Sequence, residues 1–241
     1  MSGHSKWAKV KYQKAAKDPK KSKAFSKLTA LITVAAREGN NIESNPKLRM
    51  AVDKAKEIGM PKENIEKAIK RGAGEDAEGK NLEEIMCEAY APGGSALLIQ
   101  AITDNKNRTL AELRHLLQQN QAKMAETGSV LWLFREMGKI TVPKKFWNDN
   151  LSLEAIEKGA EEIKEENSQI IIYTTPQNLF AMKNLLAKFI NDDTIKAELD
   201  FVSQQPITIS DPEIKDKLEK LFDELDEHND VEEIYSNAQI I

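Results

Sequence analysis

The sequence predicts an α+β protein, in which a small basic helical module precedes helices packed on one side of mostly antiparallel sheets. Three observations carry this. Apolar residues recur at helical spacing between Phe25 and Ile69, and the pattern changes to strand-like runs after residue 81. The segment between, "GAGEDAEGKN" (72–81), is rich in Gly and acid, lacks an apolar anchor and reads as a linker. Charge divides at the same place: residues 1–75 carry 18 Lys+Arg against 8 Asp+Glu, net +10, and residues 76–241 carry 17 against 31, net −14. The overall charge of −4 hides a basic module joined to acidic ones.

Composition narrows the class. Of the 241 residues, 40% are hydrophobic, enough for real cores, and 31% are charged, as in soluble helix-rich proteins. Apolar runs such as "ALLIQAI" fall far short of the ~20 residues a membrane span needs. The N-terminal lysines are followed by no apolar core, so no secretory signal is expected, and a mitochondrial presequence would favour Arg over Lys. One cysteine, Cys87, forms no internal disulfide and fits a reducing cytoplasm.

Along the chain, residues 3–21 show no periodicity; Asp18-Pro19 disfavours helix locally, and a mobile arm with a short helix near Lys11–Ala16 is expected. The first clear helix places Phe25, Leu28, Leu31/Ile32 and Ala35 on one face and stops at Gly39. The second begins at a Ser44 or Asn45 cap with Pro46 in its first position and ends at Gly59. The third runs from Pro61 to Gly72 with Ile65, Ala68 and Ile69 inward and Lys62, Lys67, Lys70 and Arg71 outside. Beyond the linker, "IMCEAYAPGGSALLIQAITD" predicts a hairpin around Pro92-Gly93-Gly94, and "NRTLAELRHLLQQN" a helix with Leu110, Leu113, Leu116 and Leu117 inward. A second hairpin turning near Gly138, a helix over 153–165 and the strand "QIIIYTT" follow. The helix "PQNLFAMKNLLAKFI", the strands "IKAELDFV" and "ITI", the helix "PEIKDKLEKLFDELDE" and the strand "VEEIYS" complete the chain. The two stretches "TTPQNLFAMKNLL" and "SDPEIKDKLEKLF" share one layout, which suggests two related α+β units.

The arm is the strongest candidate site. Lysines every two to four residues reach successive phosphates and displace counterions, and Trp7 and Tyr12 offer faces on which unpaired bases stack; a solvated tail is the plainer reading. With the basic helices, these residues point to nucleic acid. No helix carries an Arg, Asn and Gln array for base edges, so phosphate contact is expected to dominate. Pro92-Gly93-Gly94 reads as a hairpin turn or an anion nest. In "DNKNRT" (104–109), Arg108 holds a phosphate or a carboxylate, or the segment simply caps a helix through Asn105 or Asn107. His4, His115 and His228 lack ligand spacing, Cys87 reads as core, and no catalytic or cofactor-binding motif is present, so no metal, cofactor or enzymatic activity is expected. Glu161, Glu162, Glu165 and Glu166 read as a solvated helix face rather than an acid/base pair, and the acidic face of 154–166 and 213–233 contacts a basic protein such as RNA polymerase or a ribosomal protein, guards against wrapping on nucleic acid, or only confers solubility.

Taken in order, "GHSKW", "AFSKL", "SNPKLRMAVDKAKEIGMPKENIEKAIKRGAG", "YAPGGSALLI", "DNKNRT", "GSVLWLF" and "NDVEEIYSN" resemble the YebC/PmpR family from residue 3 to residue 237. The resemblance implies a three-domain α+β fold: a basic helical domain over 1–77, an α+β domain of ferredoxin-like type over 78–135 with 205–241, and a second one over 136–204 inserted in the first. It implies a cytoplasmic, DNA-binding transcriptional regulator, with ribosome-associated translation factors binding ribosomal RNA as the alternative. Mitochondrial relatives look like translational activators of cytochrome c oxidase. Lys6, Lys9, Lys11, Lys14, Lys21, Lys23 and Lys27 match the family's cationic arm. The chain departs from the pattern at Gln13, in place of one charge of an Arg/His-rich triplet, at Ala91 before Pro92-Gly93-Gly94, and at Asn229.

Overall fold

The computed structural model describes residues 18–75 and 82–241. The chain divides into two units, Met1–Phe134 with Ser203–Ile241, and Arg135–Val202.

The first unit begins with three helices, α1 (Asp18–Ala35), α2 (Pro46–Glu57) and α3 (Lys62–Gly72). Among the described residues, helix α1 reaches back to Asp18, seven residues before the periodicity becomes visible at Phe25. The dipeptide Asp18-Pro19, which suggested irregular backbone, is therefore helical. Leu28, Ile32, Ala35, Leu48, Val52, Ile65 and Ala68 are buried together, with Phe25, Leu31 and Ile69 against them. Asn45 joins α1 to α2: its Oδ1 accepts from Leu48 N (3.0 Å), and its Nδ2 donates to the carbonyls of Ala35 and Gly39 (2.7 Å each). A Cβ added at Gly72 would lie 2.2 Å from the Thr33 carbonyl oxygen, so the glycine lets α3 close onto α1.

The same unit contains the strands β1 (Glu83–Ala91), β2 (Ser95–Thr103), β3 (Lys123–Met124) and β9 (Val231–Ser236), in the sheet order β3-β1-β2-β9. β1 and β2 form the antiparallel hairpin, closing at Ala91 opposite Ser95. Gly93 and Gly94 supply the positive φ values the turn requires (+75° and +71°), and Ile209 and Ile214 pack against Gly93. Helices α4 (Lys106–Gln119) and α7 (Pro212–Asp226) cover one face, burying Cys87, Leu97, Ile99, Leu113, Leu117, Leu218, Leu221 and Leu225. A short parallel pair, β8 (Ile207–Ile209) with β10 (Ala238–Ile240), completes the unit.

The second unit runs β4 (Phe134–Pro143), α5 (Asp149–Glu157), β5 (Ala160–Glu166), β6 (Gln169–Thr174), α6 (Leu179–Leu186), β7 (Lys196–Ser203), its first and last strands overrunning the unit by one residue each. The βαββαβ order and the sheet order β5-β6-β4-β7 are those of a ferredoxin-like unit. Two expectations are corrected here. β4 passes straight through Gly138, paired with β6 from Gly138–Thr174 to Pro143–Gln169, so no hairpin turns there. The glycine serves close approach: an added Cβ would lie 2.9 Å from Leu179 Cβ. The predicted helix over 153–165 ends at Glu157. Gly159 reverses the chain at φ +94°, and "AEEIKEE" pairs with β6 as an edge strand. Its glutamates are therefore not a helix face. Glu161 binds Arg135 through two hydrogen bonds (2.7 and 2.9 Å), Glu165 binds Lys144 (2.5 Å) and Glu162 binds Lys164 (2.9 Å). Charged side chains on an edge strand also discourage pairing with another chain.

Candidate nucleic-acid interface

The described part of the basic lobe presents cations from α1 and α3. Lys6, Trp7, Lys9, Lys11, Tyr12 and Lys14 lie outside the described residues, as does the expected short helix near Lys11–Ala16. On α3, Lys67, Lys70 and Arg71 sit three and four residues apart and so share one face, opposite the buried Ile65 and Ala68. All three are exposed, and among the described residues their side chains make no ion pair. Lys70 and Arg71 occupy the last turn, where positive charge complements the helix dipole.

The α1 lysines behave differently. Lys21 is exposed and stands 5.6 Å from the centre of the Phe25 ring. Lys23 donates to the Glu227 carbonyl, and Lys27, 7% exposed, donates to the Asp226 carbonyl (2.8 Å). These carbonyls end α7, which has no basic residue in its own last turn. Two lysines from near the start of the chain thus cap the helix C-terminus with charge and hydrogen bonds. Lys54 pairs with Glu233 on β9 (3.2 Å) and Arg37 donates to the Leu82 carbonyl, so the helical module is fastened to the sheet by cations as well as by packing.

Arg108 belongs to a network around Asp230. Asn105 caps α4 by accepting from Arg108 N (3.1 Å), while the guanidinium meets Asp104 at 3.0 Å and Asp230 at 2.9 Å. Both the capping reading and the carboxylate reading of "DNKNRT" describe this geometry. Hydrogen bonding to Asp230 holds the Arg108 pKa above its usual value. Burial pushes the Asp230 carboxyl up, but hydrogen bonds from Thr109 (2.5 Å) and Arg108 outweigh it and hold the group below the ordinary carboxylate range. His228 and Glu112, unconnected in the sequence, join here, and the ligand atoms of Glu112, His228 and Asp230 lie within 4.8 Å of one another. His228 Nδ1 accepts from Asp230 N (3.2 Å), so the neutral ring carries its proton on Nε2, which faces Glu112 at 3.1 Å. A cation there would have to displace that proton and compete with Arg108, which makes the cluster an ion-pair network.

A folded carboxyl with a lowered pKa contributes stability that is present above the unfolded value, about 3.9, and is lost as pH falls through the folded value. Asp230→Asn is expected to cost about 1–2 kcal/mol at neutral pH and to flatten the acid limb of the stability curve below about pH 4. Thermal melts of both proteins across that range measure it.

A basic helical module followed by α+β elements, the second unit of ferredoxin-like order, defines the class of protein by its fold: a multi-part α+β protein. Residues 5–75 match the model of the TACO1/YebC N-terminal domain, and residues 82–238 match that of the TACO1/YebC second and third domain. The chain belongs to the TACO1/YebC family. A probable transcriptional regulatory protein of Thermotoga petrophila is 47% identical over all of this chain and 94% of its own length. One of Halothermothrix orenii is 44% identical over all of this chain and 96% of its own. The crystal structure of a conserved hypothetical protein from Aquifex aeolicus superposes with a TM-score of 0.82 at 41% identity, over 93% of this chain and 92% of that one. Among the described residues, no helix is long and apolar enough to cross a membrane.

Proposed function

We propose that the chain is a non-enzymatic, nucleic-acid-binding regulator of gene expression in the cytoplasm, acting as a DNA-binding transcriptional regulator. The observation that carries this is the exposed Lys67–Lys70–Arg71 face, without ion-pair partners among the described residues, on a lobe of net +10 beside a remainder of net −14. Such segregation costs like-charge repulsion and is useful when a polyanion supplies the counter-charge. The names of the curated relatives, probable transcriptional regulatory proteins, support the reading. In it the arm residues Lys6, Lys9, Lys11, Lys14 and Lys21 extend the grip along the phosphate backbone, and acidic surface such as α7 faces a basic partner, RNA polymerase or a ribosomal protein.

A second reading, a ribosome-associated translation factor on ribosomal RNA, is favoured by one observation. The first turns of α3 expose Lys62, Glu63 and Asn64 and no array of base-reading side chains, which suits irregular RNA better than a duplex groove. Crosslinking in cells followed by sequencing of both DNA and RNA separates the two: enrichment on ribosomal RNA with none on DNA overturns the transcriptional reading.

The electrostatic basis has its own test. Neutralising five to seven phosphates gives a slope of log K against log salt of about −4.5 to −6 on duplex DNA. Replacing Lys67, Lys70 and Arg71 together by Gln is expected to make it shallower by about 2 to 3. Anisotropy titrations from about 50 to 200 mM salt measure both; an unchanged slope removes α3 from the interface.

A further inference from the structure

Four exposed apolar side chains gather on the outer side of β1 and the loop beside it: Met86 (37% exposed), Tyr90 (48%), Leu131 (40%) and Trp132 (60%). The loop is held in place by Glu88, whose carboxylate accepts from the backbone N–H groups of Gly128, Val130 and Leu131. The two aromatic rings converge on one acceptor. Trp132 Nε1 donates to the Ser129 carbonyl at 2.9 Å, and Tyr90 Oη donates to the same oxygen at 3.4 Å. Both rings thus have their polar edges satisfied by the protein and keep large parts of their surfaces in solvent.

Lys123 stands beside them. It is in register with Tyr90 across β3 and β1, which puts the two side chains on one face as neighbours. It is exposed and makes no ion pair among the described residues. The site lies at the β3-β1 edge of the sheet, away from β9, where Lys54 ties down the helical module.

We propose that Tyr90, Trp132 and Lys123 form a stacking platform for unpaired nucleotides of a single strand, distinct from the cationic α1/α3 lobe. Two pre-positioned rings with an ammonium alongside match the chemistry of a single strand: π faces available on each base and a phosphate at short reach. A duplex keeps its bases stacked on one another and offers such rings nothing. The inference rests on the reading of the chain as nucleic-acid-binding and adds to it a place where unpaired segments are held.

The test uses the full chain, with oligouridylate and a DNA duplex of equal length as probes. In a variant whose other tryptophans, Trp7 and Trp147, are replaced by Phe, oligouridylate is expected to quench Trp132 fluorescence and the duplex is not. By anisotropy, Tyr90→Ala and Trp132→Ala are each expected to weaken oligouridylate binding about 5- to 100-fold with little change in salt slope, and Trp132→Phe to restore most of the loss. Trp132→Phe and the quenching measurement keep the test decisive should Trp132→Ala fold poorly. Unchanged oligouridylate affinity in Tyr90→Ala and no quenching would overturn the platform while leaving the cationic interface standing. Quenching by a protein partner but not by oligouridylate would also overturn it. Absence of any polynucleotide binding by the natural chain would overturn both readings.

Discussion

Replacing Lys139 with Met is expected to destabilise the ferredoxin-like unit by about 3–5 kcal/mol. Lys139 is 7% exposed on β4, and its ammonium lies 3.2 Å from Asp200 and 3.3 Å from Glu198, both on β7. Burial alone would lower the lysine pKa, but the two carboxylates overturn that and raise it well above its usual value. Tyr173, against the same group, has its phenol pushed up to about 12, chiefly by burial. Removing the lysine leaves Asp200, 6% exposed, as an unpaired buried anion, and that penalty is the main source of the loss. The double variant Lys139→Met with Asp200→Leu is expected to recover most of the stability, because two apolar side chains need no compensation. For a lysine with a raised folded pKa the contribution is complete below the unfolded value, about 10.4, and is lost as pH rises through the folded one. The natural chain should therefore keep this term through neutral pH. Urea unfolding of the three proteins decides the matter; a loss under about 1 kcal/mol in Lys139→Met means that water reaches Asp200.

Glu88→Ala is expected to cost about 2–4 kcal/mol and to loosen the loop that carries Trp132. Glu88 points to the outer side of β1, where a carboxylate would ordinarily be solvated, yet it is 5% exposed. Its oxygens accept from Gly128 N (2.5 Å), Val130 N (2.6 Å) and Leu131 N (2.9 Å), while its own backbone carbonyl accepts from Ala125 N (2.8 Å). Without the carboxylate, three amides lose their acceptor, and those that stay buried are each penalised by about 1–3 kcal/mol. Glu88→Gln keeps one oxygen and the shape, and is expected to lose about half as much. In the protein with Trp132 as its sole tryptophan, the emission should broaden and shift to the red in Glu88→Ala. An unaltered spectrum together with unaltered stability would mean that the loop is held by other contacts.

Much of the fold was legible because the signals are local. Asn45-Pro46 at the start of α2, the inward row Phe25, Leu28, Ile32 and Ala35, and the turn at Pro92-Gly93-Gly94 each depend on a few neighbouring residues. Where the reading went astray, a distant contact overrode local preference. "AEEIKEE" has the composition of a helix but pairs with β6, and Arg135 and Lys144 neutralise its glutamates. Gly138 looks like a turn, yet it exists to admit Leu179. Lys123–Met124 and Ala238–Ile240 are too short to show any period as strands. The candidate site was legible as a concentration of charge, and Lys67, Lys70 and Arg71 stand exposed as their spacing suggests. That Lys23 and Lys27 meet the end of α7, some 200 residues further on, was not readable, nor was the tie between Arg108 and Asp230.

By itself, then, the sequence determined the segregation of charge, the helix caps and the kind of each long element, since these are set within a turn or two of backbone. Only the tertiary structure decided which cations of the described residues are engaged by the protein's own carbonyls and carboxylates and which stand exposed. The reason is physical: an ammonium group takes the acceptor that folding brings within about 3 Å, and that acceptor can come from anywhere along the chain.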